Sequence, residues 1–484
     1  MGINHNKNHV DCLIVGYPGE EEYKTSFIKE LNKYNILLPT DFVTMFHPRV
    51  LMEISILKNK LEENDFTTDH IVSTSKDMNK LNEIKARYVL IVFRYFQSIG
   101  QIINIIKNIR WRLVNTKIIV GGGFFCQAWS KLTPQEAKYF LHLIGADFYI
   151  CKYECSLSII QILKKENSIS DLNEIPDIYY LLNGEYIKSQ STFQTNPALP
   201  KPIKYGKLRS LLQPIAAMRT SISCPYSCSF CAVKNRSDAF IKLPISIIKQ
   251  DIEDIILAPQ VSMINFTDET INLPKNEYHM FLQMLITMKH SLSWFSFVRV
   301  DQIDEETAIL MKKSGCLAVM IGFESGSDIL LNAMNKKTTT QKMEYAHRIL
   351  KKHGIYTIAY FIVGFPGETN ETVNLTLQYI NTIKPDFYQV NVWSCEVNSD
   401  IWQERQRYDL ILRGGIWAHK TMNIHQANAA VSYIQQQVKE SIDIRGFDIS
   451  FSLQMLNHGI NIDTVRKLYE SIWIERGRIH DNGK

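Results

Sequence analysis

Ser223 to Val233 reads SCPYSCSFCAV, with Cys224, Cys228 and Cys231 separated by three residues and then by two. Pro225 and the serines around it favour irregular backbone, so the thiols can converge on one bound group. Structural zinc normally takes four protein ligands. No Cys or His lies just beyond the loop to complete a tetrahedron, and the next cysteine is Cys316. An iron–sulfur cluster accommodates the shortfall, because three thiolates can hold three irons of a four-iron cluster and leave the fourth open to a substrate. The loop is therefore a candidate centre for iron chemistry.

Such a loop must be carried by a scaffold. From near Gln213 the sequence alternates strand-like and helical patterns: IAAMRTS, SMINFTDE, SWFSFVRV, CLAVMIGFE, IYTIAYFIVG and DFYQVNVWS, with amphipathic segments between them. Six strands with helical crossovers predict a partial (β/α)6 barrel, whose working face lies at the carboxyl ends of the strands. The three-cysteine loop follows the first of these strands.

An earlier alternating series covers Asp11 to about residue 165: DCLIVG, TDHIVST, ARYVLIVF, TKIIVGGG and ADFYI. This pattern predicts a doubly wound, Rossmann-like parallel sheet with ligands at its strand ends. Gly16 to Gly19, Arg94 with Tyr95, and Gly121-Gly122-Gly123 fall at those ends. The glycine triplet permits close approach of a ligand, but a plain tight turn explains it equally well. Between the two series, EIPDIYYLLNGEYIKS reads as a hairpin turning at Asn183-Gly184, and NPALPKPIKYG as a connector. The expected organisation is 1–165, a connector 166–212, a barrel 213–395 and a mainly helical region 396–484.

Composition bounds the partners. The 484 residues are 45% hydrophobic and 21% charged, with 54 Lys and Arg against 49 Asp and Glu. A net charge of +5 does not suggest a nucleic-acid surface. No apolar run reaches the roughly 18 residues of a membrane span, and MGINHNKNHVD carries no apolar signal core. Nine irregularly scattered cysteines fit reduced thiols in the cytoplasm. Cys12, Cys316 and Cys395 sit in or beside strand-like runs and read as buried apolar residues, and packing is also the simpler reading of Cys151 and Cys155.

The spacing C-x-x-x-C-x-x-C, with Phe230 before the third cysteine and a β/α strand before the first, resembles the signature of the radical S-adenosylmethionine (SAM) enzymes. In that family an acidic motif after the second strand holds the amino group of SAM, matched here by Thr267-Asp268-Glu269. A polar residue after the fourth strand meets the ribose, matched by Glu324 and Ser325, and the fifth strand resembles the adenine-contacting segment Tyr360 to Glu368, including Gly364. Singly, these pieces read as turns or as a helix start favoured by the dipole. Their joint order at successive strand ends is what specifies the family. The resemblance implies a 4Fe-4S cluster on the three cysteines, one-electron cleavage of SAM to a 5′-deoxyadenosyl radical, and an external electron donor such as a flavodoxin or ferredoxin.

A doubly wound sheet directly before such a barrel resembles the cobalamin-dependent branch of the family, over about residues 10 to 400. The resemblance implies that Gly16, Tyr17, Arg94, Tyr95, Gly121, Gly122 and Gly123 line a cobalamin site. The loop GYPGEEEY lacks Asp-x-His-x-x-Gly, so cobalamin is expected without a protein histidine ligand. The implied reaction is methylation of an unactivated carbon, or of phosphorus, in a peptide or small-molecule natural-product precursor. A non-methylating rearrangement or cyclisation is the alternative. Methylthio transfer is disfavoured by the lack of a second three-cysteine set, and a non-catalytic sensor by the cofactor-holding carboxylates. In the terminal region, Trp417 and His419 read either as a packed corner, since Trp is mostly buried, or as a cap on the site with His419 contacting substrate.

Overall fold

Successive residues of the first strand supply two separate cores. Leu13 and Val15 pack with the helices Ile99–Arg112 and Pro134–Ile144, whereas Cys12 and Ile14 pack with Pro48–Glu62 and Ser156–Lys165. This is the period-2 alternation of a strand covered on both faces. The structure, a computed structural model, describes residues 8–17, 48–72, 78–93, 99–121, 132, 134–150, 155–165, 169–190, 201–233, 239–396, 399–413, 415–445 and 449–481. These residues form two compact units that meet in sequence between Leu212 and Gln213.

In the first unit, β1 (Asn8–Tyr17), β2 (Thr68–Val72), β3 (Ile84–Phe93), β4 (Lys117–Gly121) and β5 (Phe148–Ile150) run parallel in the order 2-1-3-4-5. The hairpin β6 (Ile178–Leu182) and β7 (Glu185–Lys188) then extends the same sheet antiparallel to β5. Asn183 and Gly184 at its turn have φ of 49° and 82°, the left-handed pair a two-residue hairpin needs. The expected connector thus contributes structure to the first unit. Tyr186 donates to the Ala146 carbonyl at 2.6 Å, and Ser55 in the Pro48–Glu62 helix donates to the Ile203 carbonyl at 3.1 Å.

The second unit holds parallel strands in sequence order: β8 (Ile215–Met218), β11 (Met263–Phe266), β12 (Ser293–Phe297), β13 (Cys316–Glu324), β14 (Tyr356–Val363) and β15 (Phe387–Val392). A short antiparallel pair, β9 (Ser221–Ile222) with β10 (Ile241–Lys242), follows β8. All six long strands coincide with the sequence reading. The terminal region holds more strand than that reading expects. It forms a hairpin, β16 (Ile411–Arg413) and β17 (Ile416–Ala418), and β18 (Ile442–Asp443) joins the sheet beside β15.

Two faces of this second sheet are treated differently. Phe266 packs edge-on against Phe281 of the Lys275–Thr287 helix, on the helix-covered face. On the other face, Ile215, Met263, Phe295, Ala318, Ile358 and Phe387 are buried under the helices Ile449–Asn457 and Ile462–Asp481. Those residues lie towards the amino ends of their strands, so the last two helices fill that half of the face. Nearer the carboxyl ends the same face opens. Phe297, Tyr360, Ile362 and Gln389 are partly exposed, while their alternates Ser296, Phe361, Val363 and Tyr388 are buried.

Candidate functional site

The cysteine loop leaves β8 and is closed at its base by the β9–β10 pair, Ser221 opposite Lys242 and Ile222 opposite Ile241. Ser223 has φ of 68°, a conformation that turns the chain sharply just before the first thiol. Beyond it the loop is pinned from outside: the Ser229 amide donates to the Met334 carbonyl at 2.9 Å, Asn335 Nδ2 to the Ser227 carbonyl at 2.7 Å, and the Ile401 amide to the Ser229 carbonyl at 2.9 Å. Cys224, Cys228 and Cys231 are all half-buried and unpaired by disulfide. The Val233 amide points at Cys231 Sγ at 3.4 Å. Burial raises the Cys224 thiol above its ordinary pKa; a bond from the Tyr226 amide opposes this, Cys228 and Glu269 add to it, and the Arg299 charge opposes it. Among the described residues no three or more His, Cys, Asp or Glu side chains are disposed to hold a single ion. Three soft thiols on one pinned loop, with backbone donors aimed at sulfur, suit the separate irons of a cluster better than a closed zinc site.

The expected cofactor-holding carboxylates divide. Asp268 is buried at 2% exposure and is consumed by the loop base: it accepts from the Thr220 amide at 3.0 Å, from Thr220 Oγ1 at 2.9 Å and from Ser221 Oγ. Lys242 Nζ donates to Thr220 Oγ1 at 2.9 Å beside it. Asp268 therefore holds the chain entering the cysteine loop. Glu269 is exposed and acts electrostatically on Cys224, and Thr267 anchors to the Met218 carbonyl through its amide at 2.7 Å.

At the end of β13, Glu324 is buried with φ of 64° and accepts from Lys336 Nζ at 2.6 Å. A Cβ at Gly322 would fall 2.3 Å from Glu324 Oε1, so glycine there makes room for the ion pair. Ser325 is fully buried, against Thr376 Oγ1 at 3.2 Å and the Ser327 amide at 3.1 Å. That geometry turns Ser325 towards the Asn370–Ile383 helix.

Gly364 does sit at a tight junction. Its φ is 96°, and a Cβ would lie 2.6 Å from the Trp417 ring. Trp417 is buried, donates from Nε1 to the Trp393 carbonyl at 2.8 Å, and stacks on His419 with ring centroids 5.2 Å apart and planes 3° from parallel. His419 Nε2 lies 3.0 Å from the Gly364 carbonyl, and Nδ1 accepts from the Thr421 and Met422 amides at 3.3 Å. Both ring nitrogens are spent on protein, and burial, partly offset by the Gly364 bond, lowers the pKa. His419 and Trp417 brace the turn after β14.

Below that turn Glu368 is 1% exposed, accepts from the Gly364 amide at 3.3 Å and from Thr372 Oγ1, and burial pushes its pKa up to about 7 against the opposing pull of those bonds. The folded state therefore keeps a proton that the unfolded chain releases from about pH 4.5 upward. The associated stability is complete below that pH and is lost as pH rises through about 7. Relative to Glu368→Gln, the native protein should lose up to about 3 kcal/mol between pH 4.5 and pH 8. Urea midpoints across that range check it, and parallel profiles would refute it.

In the first unit, Gly16 and Tyr17 close β1 beside Val72, Val92 and Phe93, where the strand order 2-1-3 reverses direction. Such reversal points are ligand sites in open parallel sheets. Gly121 ends β4, where a Cβ would come 2.9 Å from Ile150 Cβ, so packing already requires glycine there. Arg94, Tyr95, Gly122, Gly123 and Cys151 lie outside the described residues. Cys12, Cys316 and Cys395 are buried.

The sequence reading missed Tyr226, Arg299 and Asp301. Arg299 Nε donates to Asp301 Oδ1 at 2.8 Å, Tyr226 donates to Asp301 Oδ2 at 2.8 Å, and the guanidinium lies 3.6 Å from the centre of the Tyr226 ring. The available signal was a pair of charges at the carboxyl end of SWFSFVRVD, the position that singled out the other strand-end residues.

Residues 218–380 match the family described as the radical SAM superfamily. Among curated proteins, the chain is 26% identical over 203 residues to an uncharacterized methyltransferase, PH0819, of Pyrococcus horikoshii, covering 41% of this chain and 44% of that one. It is 31% identical over 184 residues to the anaerobic magnesium-protoporphyrin IX monomethyl ester cyclase of Rubrivivax gelatinosus, covering 37% of this chain and 33% of that one. The chain thus spans less than half the length of either relative. Among solved structures, the radical SAM methyltransferase TsrM of Kitasatospora setae, with cobalamin and a 4Fe-4S cluster bound, superposes with a TM-score of 0.61 at 15% identity, over 81% of this chain and 77% of that one.

Proposed function

We propose, from the membership of residues 218–380 in the radical SAM superfamily, that this chain is a cobalamin-dependent radical SAM enzyme that methylates an unactivated carbon or phosphorus of a small-molecule or peptide precursor. The single observation that carries the reading is the pinned three-thiol loop after the first strand of a sequentially ordered parallel sheet. Cys224, Cys228 and Cys231 would hold the 4Fe-4S cluster, and the exposed Glu269, which acts on Cys224, would meet the amino group of SAM. The braced turn at Gly364 would receive the adenine. When bound, the cluster and SAM supply a radical able to take hydrogen from an unactivated position, and cobalamin supplies a methyl group.

The residues that would meet substrate lie on the open half of the second sheet. Phe297 and Tyr360 offer ring faces 5.6 Å apart, and Gln389 donates to Asn391 at 2.8 Å. They can stack and hydrogen-bond a neutral group while the last two helices exclude water from below. We read the first unit as a doubly wound cobalamin-binding domain, supported by its strand order and by Gly16 and Tyr17 at the reversal point. In this reading residues 213–395 are a partial (β/α)6 barrel and 396–484 brace its ends. An external flavodoxin or ferredoxin would deliver the electron. Among the described residues no helix is long and apolar enough to cross a membrane.

Anaerobic reconstitution with iron, sulfide and hydroxocobalamin tests the reading. A four-iron absorption band, bound corrinoid and 5′-deoxyadenosine formed from SAM are expected. Electron paramagnetic resonance of the cob(II)alamin state should lack splitting from a protein imidazole nitrogen, and such splitting would overturn the expected ligation. The similarity to the Rubrivivax cyclase favours a second reading, ring closure without methyl transfer. Product mass decides between them, since only methylation adds the labelled methyl group of SAM.

A further inference from the structure

We infer that Arg299, held between Tyr226 and Asp301, is a positioning residue that fastens the cysteine loop to the end of β12 and sets the reduction potential of the cluster carried there. The inference rests on the proposed cluster site and deepens it. Strand-end arginines are commonly solvated and interchangeable with lysine. Arg299 is 8% exposed and constrained on every side. Its amide donates to Asn272 Oδ1 at 2.9 Å, its carbonyl accepts from Asn272 Nδ2 at 2.7 Å, and Asn272 is itself fully buried. The side chain donates from Nε to Asp301 and from Nη2 to the Lys336 carbonyl.

That second bond reaches the clamp that pins the cysteine loop from outside. Lys336 follows Asn335, whose side chain grips Ser227, and Lys336 Nζ holds Glu324 at the end of β13. On its remaining face the guanidinium covers Tyr226, which stands two residues from both Cys224 and Cys228. The Tyr226 hydroxyl closes the ring of contacts on Asp301. A guanidinium is suited to this place because it is planar, stacks on an aromatic face and still presents forked donors to a carboxylate and a carbonyl.

Burying a cation is costly unless nearby negative charge offsets it. Asp301 offsets part. Burial pulls the Arg299 pKa down, and Asp301 and Tyr226 oppose that fall, so that it stands raised overall. Three thiolates around iron make a negatively charged centre, and one-electron reduction adds a further negative charge. A fixed cation beside the ligands stabilises the reduced state, and a carboxylate beside them opposes it. The two members of the ion pair should therefore shift the potential in opposite directions.

The test is a reductive titration of the reconstituted cluster, with dithionite and mediators, followed by electron paramagnetic resonance. At the potential that half-reduces the native cluster, Arg299→Gln should lower the reduced-to-oxidised ratio about tenfold, ~59 mV for one electron, with iron and sulfide content unchanged. Arg299→Lys, which keeps the charge, should recover most of the ratio, and Asp301→Asn should raise it. If Arg299→Gln loses the cluster outright, Asp301→Asn and Arg299→Lys still decide. A full cluster with an unmoved potential in Asp301→Asn, or in Arg299→Gln where that variant assembles, overturns the inference. A native chain that assembles no four-iron cluster overturns the function reading on which it rests.

Discussion

Replacing Cys224, Cys228 or Cys231 by alanine, one at a time, is expected to abolish both the four-iron cluster and all cleavage of SAM. In the proposed site each thiolate would hold a different iron, so losing one would leave an iron without a protein ligand. Glu269 is exposed near Cys224, but a lone carboxylate is a hard oxygen donor where the cluster takes sulfur. The fold should survive each substitution, because the three side chains are half-buried and the loop is pinned by Ser227, Ser229 and the β9–β10 pair rather than by the thiols. The measurements are iron and sulfide content after anaerobic reconstitution, 5′-deoxyadenosine formation, and far-ultraviolet circular dichroism as a control. A variant that keeps four irons and full turnover would remove the loop from the chemistry.

The second large effect is expected at Asp268. Removing its carboxylate by Asp268→Ala leaves the Thr220 amide and hydroxyl and the Ser221 hydroxyl without their acceptor, all in a buried setting. Lys242 loses the carboxylate that supports its charge; burial lowers the Lys242 pKa and Asp268 opposes that fall. Leaving a buried donor without its acceptor typically costs about 1–3 kcal/mol. The damage falls on the cysteine loop, because Ser221 and Lys242 are the register partners that close its base. Hydrogen exchange at the amides flanking the loop should accelerate, and the reconstituted cluster should lose iron more quickly to a chelator. Asp268→Asn keeps an acceptor but not the charge, and should fall between native and alanine. Unchanged exchange and iron retention in Asp268→Ala would refute the role.

The backbone of the site was legible in the sequence because its signals are contiguous. Cys224, Cys228 and Cys231 lie within one loop, so spacing alone states which atoms can share a cluster. Short apolar runs marked all six long strands of the second sheet, and the Asn183-Gly184 turn marked the hairpin, since left-handed backbone restricts residue type locally. The hairpin's place on the edge of the first sheet was not legible. A turn says that two strands pair with each other and nothing about a third.

What the sequence determined by itself is the spacing of the three cysteines, the strands of the second sheet and the strand end that the loop follows. The direction in which each strand-end side chain points was decided only in three dimensions. Asp268 and Glu269 are adjacent in sequence, yet one is sealed against Thr220 and the other faces outward. Ser325 turns into the Asn370–Ile383 helix while Glu324 turns to Lys336. Tyr226 meets Asp301 across 75 positions and His419 meets Gly364 across 55. The physical reason is that a residue past the end of a strand no longer obeys period-2 alternation. Its side chain goes to whichever distant donor, acceptor or ring the register of neighbouring strands brings within about 3 Å, and that register is a property of the folded sheet.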